Sequence, residues 1–210
     1  MQSLGKLVIK SKEKIIQFLD EEHTGRISSI DENGYPQIIP MNFVLINESV
    51  YMHSHIKGEK LDNIKRNSKV GFEVDKNLEF LPSYFFDPDD ASLADTLYIS
   101  VVIKGEAHII SDVNEKVRAL NALMKKYQPE GKYEPMKKDM EVLEAVAVIK
   151  IIPNEINGKY KIGQNISKQE RVELAMNILN RNSKTAQETL RVMGFAIEQG
   201  KPVLKNDEEW

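Results

Sequence analysis

The sequence predicts a mainly β protein with peripheral helices, of the α+β class, and three observations support this class. First, several runs rich in β-branched and apolar residues have the length and alternation typical of strands. Second, apolar residues at helical spacing occur only before, between and after these runs. Third, glycine, proline and asparagine punctuate the joins between them. The predicted strands cover residues 25–30, 36–46, 49–55, 70–74, 96–110 and 142–152.

The N-terminal part is predicted to form a helix followed by a hairpin. Ser11 is placed to cap a helix that runs to about Glu22, with its apolar residues on one face. The turn Asp31-Glu32-Asn33-Gly34 then joins the first two strands, because Asn-Gly accepts positive φ at low cost. The chain therefore opens its barrel with a hairpin.

The C-terminal part alternates strands with helices. Gly105 is predicted to mark a bulge or a tight bend, and Pro153 to end the strand 142–152. Helical spacing indicates helices over 112–127, from Ser167 onward and over 185–193. We expect two domains, a barrel over 1–160 and a helical extension over 161–210, with a polar tail that ends in Trp210.

Composition restricts the classes of function. The chain has 210 residues, a net charge of −3 and no cysteine. The charge argues against a nucleic-acid surface, and the lack of cysteine excludes disulfides, thiolate zinc sites, iron–sulfur ligation and cysteine nucleophiles. No apolar run approaches the length that spans a membrane, and the first residues lack the pattern of a signal peptide. We therefore expect a cytoplasmic protein.

The stretch from Gly34 to Asp75 carries the strongest functional signal. It predicts two strands, a glycine bend, a short helix and a third strand. A helix N-terminus beside lysines favours a phosphate, so Lys57 and Lys60 are candidate anion ligands. Polar groups on the strands, Asn42, His53 and Ser54, are placed to meet a planar polar ring. The alternative is an amphipathic helix with ordinary surface lysines.

This stretch resembles the pyridoxamine-phosphate-oxidase-like, FMN-binding split-barrel proteins, and most of all the branch with the 5-nitroimidazole resistance proteins. Order and spacing agree over about forty residues, and a weaker match covers 98–105. The matching pieces are Gly34-Tyr35-Pro36, Ile39-Pro40-Met41-Asn42-Phe43, Tyr51-Met52-His53-Ser54 and Gly58-Glu59-Lys60-Leu61-Asp62-Asn63, followed by Asn67 and Val70.

The resemblance implies a split β-barrel that binds FMN and acts as a flavin-dependent oxidoreductase on a small organic molecule. It also implies a homodimer with the flavin between subunits. Lys60 would hold the phosphate, and His53 would supply a proton. Relatives often have a second basic residue where Glu59 stands, so Lys57 would compensate. The implied flavin contacts are Pro40, Met41, Asn42, His53, Ser54, Lys57, Lys60, Ser100, Gln164 and Asn165.

Two other classes stay open from the residues. His53-x-His55 puts two imidazoles on one strand face, which is a metal-site pattern that would need a third ligand such as His108. The helices over 167–194 are also compatible with a flavin-binding transcriptional regulator. Their basic residues are Arg171, Arg181, Lys184 and Arg191.

A last open point is the aromatic segment 80–86. Its rings favour packing in a core or a dimer interface, or a wall over a planar ligand.

Overall fold

The computed structural model describes residues 5–205, so the predicted tail at Trp210 lies outside the described residues. The helices are α1 (Lys12–Glu21), α2 (Glu59–Arg66), α3 (Val113–Tyr127), α4 (Lys168–Arg181) and α5 (Ala186–Val192). The strands are β1 (Gly25–Ile30), β2 (Pro36–Met41), β3 (Phe43–Ile46), β4 (Ser49–His55), β5 (Lys69–Leu81), β6 (Asp95–Ile110), β7 (Val146–Lys161), β8 (Phe195–Glu198) and β9 (Lys201–Leu204).

The first seven strands form one sheet in the order β2-β1-β5-β6-β7-β4-β3. The pairs β1–β2, β1–β5, β3–β4 and β4–β7 are antiparallel. Strands β8 and β9 form a separate antiparallel hairpin that the sequence did not predict. The predicted class, mainly β with peripheral helices, is confirmed.

The described chain divides into two compact units. One unit contains Glu13–Val74 and Val101–Asn157, and in it α3 packs against β3 and β4. Its core includes Val44, Tyr51 and Leu120. The other unit contains the described parts of Met1–Lys12, Asp75–Ser100 and Gly158–Trp210. The first unit is called the α3 unit below, and the second the α4 unit.

The predicted strand 36–46 is two strands, broken at Asn42. β2 pairs with β1, whereas β3 pairs with β4, so the two segments lie at opposite ends of the sheet order. The Tyr127 hydroxyl fixes the start of β3, because it accepts a hydrogen bond from Phe43 N at 2.8 Å and donates to Phe43 O at 3.0 Å. This contact from α3 holds the corner that periodicity alone could not locate.

The prediction that Pro153 ends its strand is wrong, because β7 continues to Lys161. The β7 ladder to β4 ends at Ile151, so Pro153 lies beyond the β4 partners that would need its missing N–H. Residues Glu141–Glu144 form a 3-10 helix rather than the start of the strand.

At Gly105, strand β6 lies unusually close to the backbone of β7. A Cβ at this position would lie 2.4 Å from the Ile152 carbonyl oxygen, so only glycine lets the two strands come this close.

Within residues 5–205, no helix combines the length and the apolar character needed to cross a bilayer.

Candidate functional site

The corner between β4 and α2 begins with a glycine bend. Gly58 has φ 147°, a conformation that residues with a Cβ rarely adopt. Helix α2 starts at Glu59, and Leu61 N donates to Gly58 O at 2.9 Å. No side chain caps this helix start, so its first N–H groups have no side-chain acceptor. The geometry is that of a helix N-terminus next to a sharp bend.

A buried amide fixes the position of α2. Asn63 is 2% exposed, and its Nδ2 donates to Ser29 Oγ at 3.2 Å and to Gln37 Oε1 at 3.3 Å. Its Oδ1 accepts a 2.6 Å hydrogen bond from Arg66 Nη2. These bonds tie α2 to β1 and β2. No role was predicted for Asn63 from the sequence, although its position between Leu61 and Ile64 on the apolar helix face indicates a buried contact.

Lys60 is a half-buried cation on the second residue of α2. Its Nζ lies 3.8 Å from Met41 Sδ, which is a weak acceptor. Within residues 5–205, no carboxylate lies at ion-pair distance from Lys60. Burial lowers the pKa of this ammonium from its ordinary value. The site therefore holds a positive charge without a protein counter-ion.

His53 stands near this cation on β4, with its side chain open to solvent. Partial desolvation lowers the pKa of His53, and the charge of Lys60 lowers it further. The imidazole is consequently neutral at pH 7, with one N–H donor and one acceptor nitrogen. The structure thus brings Met41, Lys60 and His53 together.

The other predicted residues of this unit lie around the corner with different roles. Ser54 Oγ donates to His55 O at 3.0 Å, and Lys57 N donates to His55 Nδ1 at 3.2 Å. These bonds shape the end of β4. Pro40, Asn42 and Lys57 have exposed side chains.

Three predicted flavin contacts belong to the α4 unit: Ser100, Gln164 and Asn165. Ser100 is half-buried on β6. Gln164 closes a turn, because its Oε1 accepts from Ile162 N at 2.9 Å and its Nε2 donates to Tyr160 O at 2.8 Å. Asn165 has an exposed side chain in the same turn.

The metal alternative has no support in the part of the chain that the structure describes. No group of three or more potential ligands is close enough to hold an ion there. His55 Nδ1 instead accepts the Lys57 N–H. A two-histidine pair alone is a weak motif.

The basic residues that suggested a regulator include two that bond within the α4 unit. Arg171 is buried and donates from Nη2 to Met193 O at 2.7 Å. Arg181 donates to Glu79 Oε1 at 3.2 Å and to Phe80 O at 2.5 Å. Contacts of this kind brace the two helices, so these arginines do not form a phosphate-binding face.

Three of the four rings in the aromatic segment 80–86 lie outside the core. Phe80, Tyr84 and Phe86 are all exposed, with Tyr84 at 61%. The core interpretation of these rings is therefore wrong, and the interface and ligand-wall interpretations stay predictions.

Comparison with known proteins adds the family. Residues 11–160 match the family described as pyridoxamine 5'-phosphate oxidase. The curated proteins contain no match to this chain.

Solved structures are similar in fold. A candidate 5-nitroimidazole antibiotic resistance protein from Bacteroides thetaiotaomicron has a TM-score of 0.62 and 23% identity, covering 73% of this chain and 86% of that chain. The flavocytochrome Anf3 from Azotobacter vinelandii has a TM-score of 0.65 and 19% identity, and the match covers 77% of this chain and 72% of that chain. The FAD and heme binding protein from Mycobacterium smegmatis has a TM-score of 0.62 and 15% identity, and the match covers 78% of each chain.

These likenesses confirm the split-barrel fold, and the match over 11–160 includes the whole β4–α2 corner. The chain belongs to the pyridoxamine 5'-phosphate oxidase family.

Proposed function

We propose that this protein binds FMN and acts as a flavin-dependent oxidoreductase on a small organic molecule. One observation carries the proposal: the half-buried Lys60 ammonium has no carboxylate partner among residues 5–205 and lies at the start of α2. A desolvated cation at a helix N-terminus is a site for an anion such as a phosphate.

The residues at the corner fit a phosphate in charge and in donors. The N-terminus of α2 contributes a partial positive charge, and Lys60 contributes a full one. The carboxylate of Glu59 opposes them, but its side chain is exposed and its charge is screened by water. Asn63 holds α2 against β1 and β2, so the donors are positioned before a ligand arrives.

Bound flavin would supply the electron-transfer chemistry, and the protein would supply binding, orientation and proton transfer. His53 is the side chain placed for that last task. Its lowered pKa keeps the imidazole neutral, so one nitrogen can donate a hydrogen bond to a substrate atom. A proton taken up from water at the other nitrogen would replace the one that passes to the substrate. Met41 would lie beside the same ligand as Lys60, since the two side chains are in contact.

The relatives support a flavin as the ligand. Two solved structures of similar fold are named as a flavocytochrome and as an FAD and heme binding protein. The resemblance of the stretch from Gly34 to Asp75 to FMN-binding split-barrel proteins supports FMN, rather than a larger dinucleotide, as the proposed ligand.

The binding experiment is a fluorescence titration of the purified protein with FMN, riboflavin and FAD. Riboflavin lacks the phosphate, so it should bind more weakly than FMN. Lys60→Met should weaken FMN binding about 10- to 150-fold, because a charge-assisted phosphate contact contributes roughly 1.5–3 kcal/mol. The same substitution should leave riboflavin binding unchanged.

The matched control is Lys65→Met on the same helix, because Lys65 is exposed and pairs with Asp62 at 3.2 Å. It should leave FMN affinity within about twofold of the wild type. Equal loss of FMN and riboflavin in Lys60→Met, or no loss of FMN, contradicts the phosphate assignment.

The activity is tested by reoxidation of the reduced, FMN-loaded protein. A 5-nitroimidazole and molecular oxygen are suitable acceptors, the first because a protein of similar fold is named for resistance to that class. His53→Gln should slow reoxidation by an organic acceptor that needs a proton, by about 10²-fold or more. A rate that His53→Gln leaves unchanged removes His53 from the proposal.

We also propose a homodimer through the outer face of the β1–β2 hairpin. The register places Ile30 beside Pro36 and Ser28 beside Ile38, and Ile38 is 62% exposed. An exposed apolar face of this kind favours association. The prolines on edge strand β2 limit pairing through its backbone, so face-to-face contact is favoured.

Light scattering after gel filtration tests the dimer. Ile38→Asp should convert it to a monomer, whereas Val102→Asp, at an exposed apolar position on β6 outside the hairpin, should not. A wild-type monomer at micromolar concentration contradicts the proposal.

A further inference from the structure

A cavity of about 230 Å³ lies within the α4 unit, and all of its lining residues belong to that unit. Its apolar lining is made of leucine, isoleucine and phenylalanine side chains from the end of β5, the 83–97 segment, the turn after β7, and α4. These are Leu81, Phe86, Leu93, Leu97, Ile166 and Leu174. The cavity is distinct from the β4–α2 corner, which belongs to the α3 unit.

The size of the cavity sets the size of a ligand. An apolar cavity of about 150 Å³ lined by the same residue types binds benzene, so 230 Å³ admits one substituted ring. Cofactor and drug sites measure about 300–1,000 Å³, so the cavity is too small for a flavin.

The polar part of the wall determines the charge of a ligand. Lys161 Nζ donates to Asp95 Oδ1 at 2.5 Å, and both residues line the cavity together with Asn165. Asp95 Oδ1 also accepts from Thr96 N at 2.8 Å. The ion pair makes this wall electrically neutral. A charged ligand would gain no net attraction from a neutral pair and would lose its water among the apolar side chains, so a neutral ligand is favoured.

The turn that carries this wall is held in shape. Gln164 uses both ends of its amide to bond Ile162 N and Tyr160 O, and Ile166 N donates to Gly163 O at 3.3 Å. Gly163 has φ 80°, which the turn requires. The side chains of Asn165 and Ile166 are therefore presented to the cavity by a pre-formed turn.

We propose that this cavity is a second binding site, for a neutral molecule with one aromatic ring and one polar substituent that both donates and accepts hydrogen bonds. The ring contacts the apolar lining, and the substituent bonds to Asn165 and to the Asp95–Lys161 pair. Half of the lining lies beyond the family match, because Lys161, Gly163, Asn165, Ile166 and Leu174 follow residue 160.

The test compares three probes of the same shape and different charge: benzamide, benzoate and benzylamine. Ligand-detected NMR with the full chain gives their affinities. We expect benzamide to bind at millimolar or lower concentration, and each charged probe to bind about tenfold more weakly. Absence of benzamide binding, or equal affinity for all three, overturns the proposal.

Two kinds of variant locate the binding. Ile166→Trp fills the cavity and should abolish benzamide binding, whereas Ile197→Trp, at an exposed position of β8 outside the lining, should preserve it. Lys161→Met leaves Asp95 without its partner and should reverse the selectivity, so that benzylamine binds about tenfold better than in the wild type. Binding that survives Ile166→Trp, or unchanged selectivity in Lys161→Met, places the probe elsewhere and overturns the proposal.

The readout is independent of the proposed FMN site, because the probes are detected directly and no flavin is required. Absence of FMN binding by the wild type with intact benzamide binding would leave this inference standing. FMN binding by the wild type without benzamide binding would leave the proposed function standing.

Discussion

Two charged groups on this chain are shielded from water in opposite ways. Glu79, on β5 in the α4 unit, is 4% exposed, and its two oxygens accept hydrogen bonds from Arg181 at 3.2 Å, Ser183 at 2.5 Å and Thr185 at 2.6 Å. Lys60, on α2 in the α3 unit, is half-buried and contacts only the Met41 thioether among the described polar partners.

The difference separates a structural charge from one available for binding. Burial of a charge costs free energy unless partners compensate for the lost water. At Glu79 the partners come from the chain itself, from the end of α4 and the loop before α5, so the carboxylate joins these helices to β5. At Lys60 the compensation is left to a ligand. Charge alone does not distinguish these cases; the partners do.

The largest effect is expected at Glu79. Glu79→Gln removes the charge while keeping the shape, and it leaves Arg181, Ser183 and Thr185 with a poorer acceptor. A hydrogen bond to a charged group contributes about 1.5–3 kcal/mol, so weakening the three bonds to Glu79 should lower the free energy of unfolding by about 3 kcal/mol or more. Urea denaturation followed by circular dichroism measures it.

The matched control is Glu155→Gln, which breaks the exposed Lys104–Glu155 pair at 3.0 Å. Exposed ion pairs contribute little, so this variant should denature at the same urea concentration as the wild type. If both variants lost a similar free energy of unfolding, the hydrogen-bond partners of Glu79 would not explain its structural role.

The second effect is expected at Lys60 and depends on the ligand. Without FMN, Lys60→Met should leave the free energy of unfolding unchanged or raise it slightly, because it removes a partly desolvated charge. With FMN at about 100 times the wild-type dissociation constant, the wild type should gain roughly 2.7 kcal/mol, and the variant at the same concentration should gain about half of this or less. Thermal or urea unfolding with and without FMN measures both. A large loss without ligand would make Lys60 a structural residue like Glu79.

A third, smaller effect concerns Lys126, a half-buried cation whose lost contact with water is partly replaced by protein groups. Its Nζ donates to Leu19 O at 2.9 Å and lies 3.9 Å from the centre of the Phe43 ring. Burial is the main cause that lowers the pKa of Lys126 to about 8, and the nearby charges of Asp20 and Glu22 oppose the shift. Between pH about 8 and 10.5 the unfolded state then binds one more proton at this residue than the folded state.

Stability from this group should therefore rise as the pH increases through that window. Relative to Lys126→Met, the wild-type free energy of unfolding should increase by about 1–2 kcal/mol from pH 8 to pH 10.5, after allowance for solvent screening. Guanidinium denaturation of both proteins at several pH values measures this difference. A difference that does not change with pH would mean that Lys126 is as well compensated as Glu79.

Much of the local structure was predictable from the sequence. β1 and β4 have the predicted bounds, because alternation and the flanking turns specify both. The capping residue Ser167 and its partner Glu170 mark the start of α4, and both side-chain bonds of the capping box are present. Signals of this kind act over a few residues and are visible in a single sequence.

The features that sequence reasoning missed depend on distant residues. The break at Asn42 is held by Tyr127, 84 positions after Phe43, and no local pattern at 36–46 indicates it. The partners of Glu79 lie more than 100 positions away. The Lys60 corner was predicted because a glycine, a helix start and a lysine are adjacent in sequence. No comparable pattern of neighbouring residues surrounds Gln164 and Asn165, and the Gln164 amide closes its own turn.

The smallest effect is a change in the pKa of His53, and it tests whether the Lys60 charge is open to a ligand. Lys60 helps to hold the pKa of His53 below its ordinary value, so an anion that neutralises Lys60 should raise it. FMN or inorganic phosphate should therefore raise the pKa of His53 in an NMR titration. Lys60→Met should raise the pKa of His53 without any ligand, and added phosphate should then have no further effect, because both changes remove the same charge. A phosphate response that persists in Lys60→Met would mean that the anion binds elsewhere, and Lys60 would lose the role that distinguishes it from Glu79.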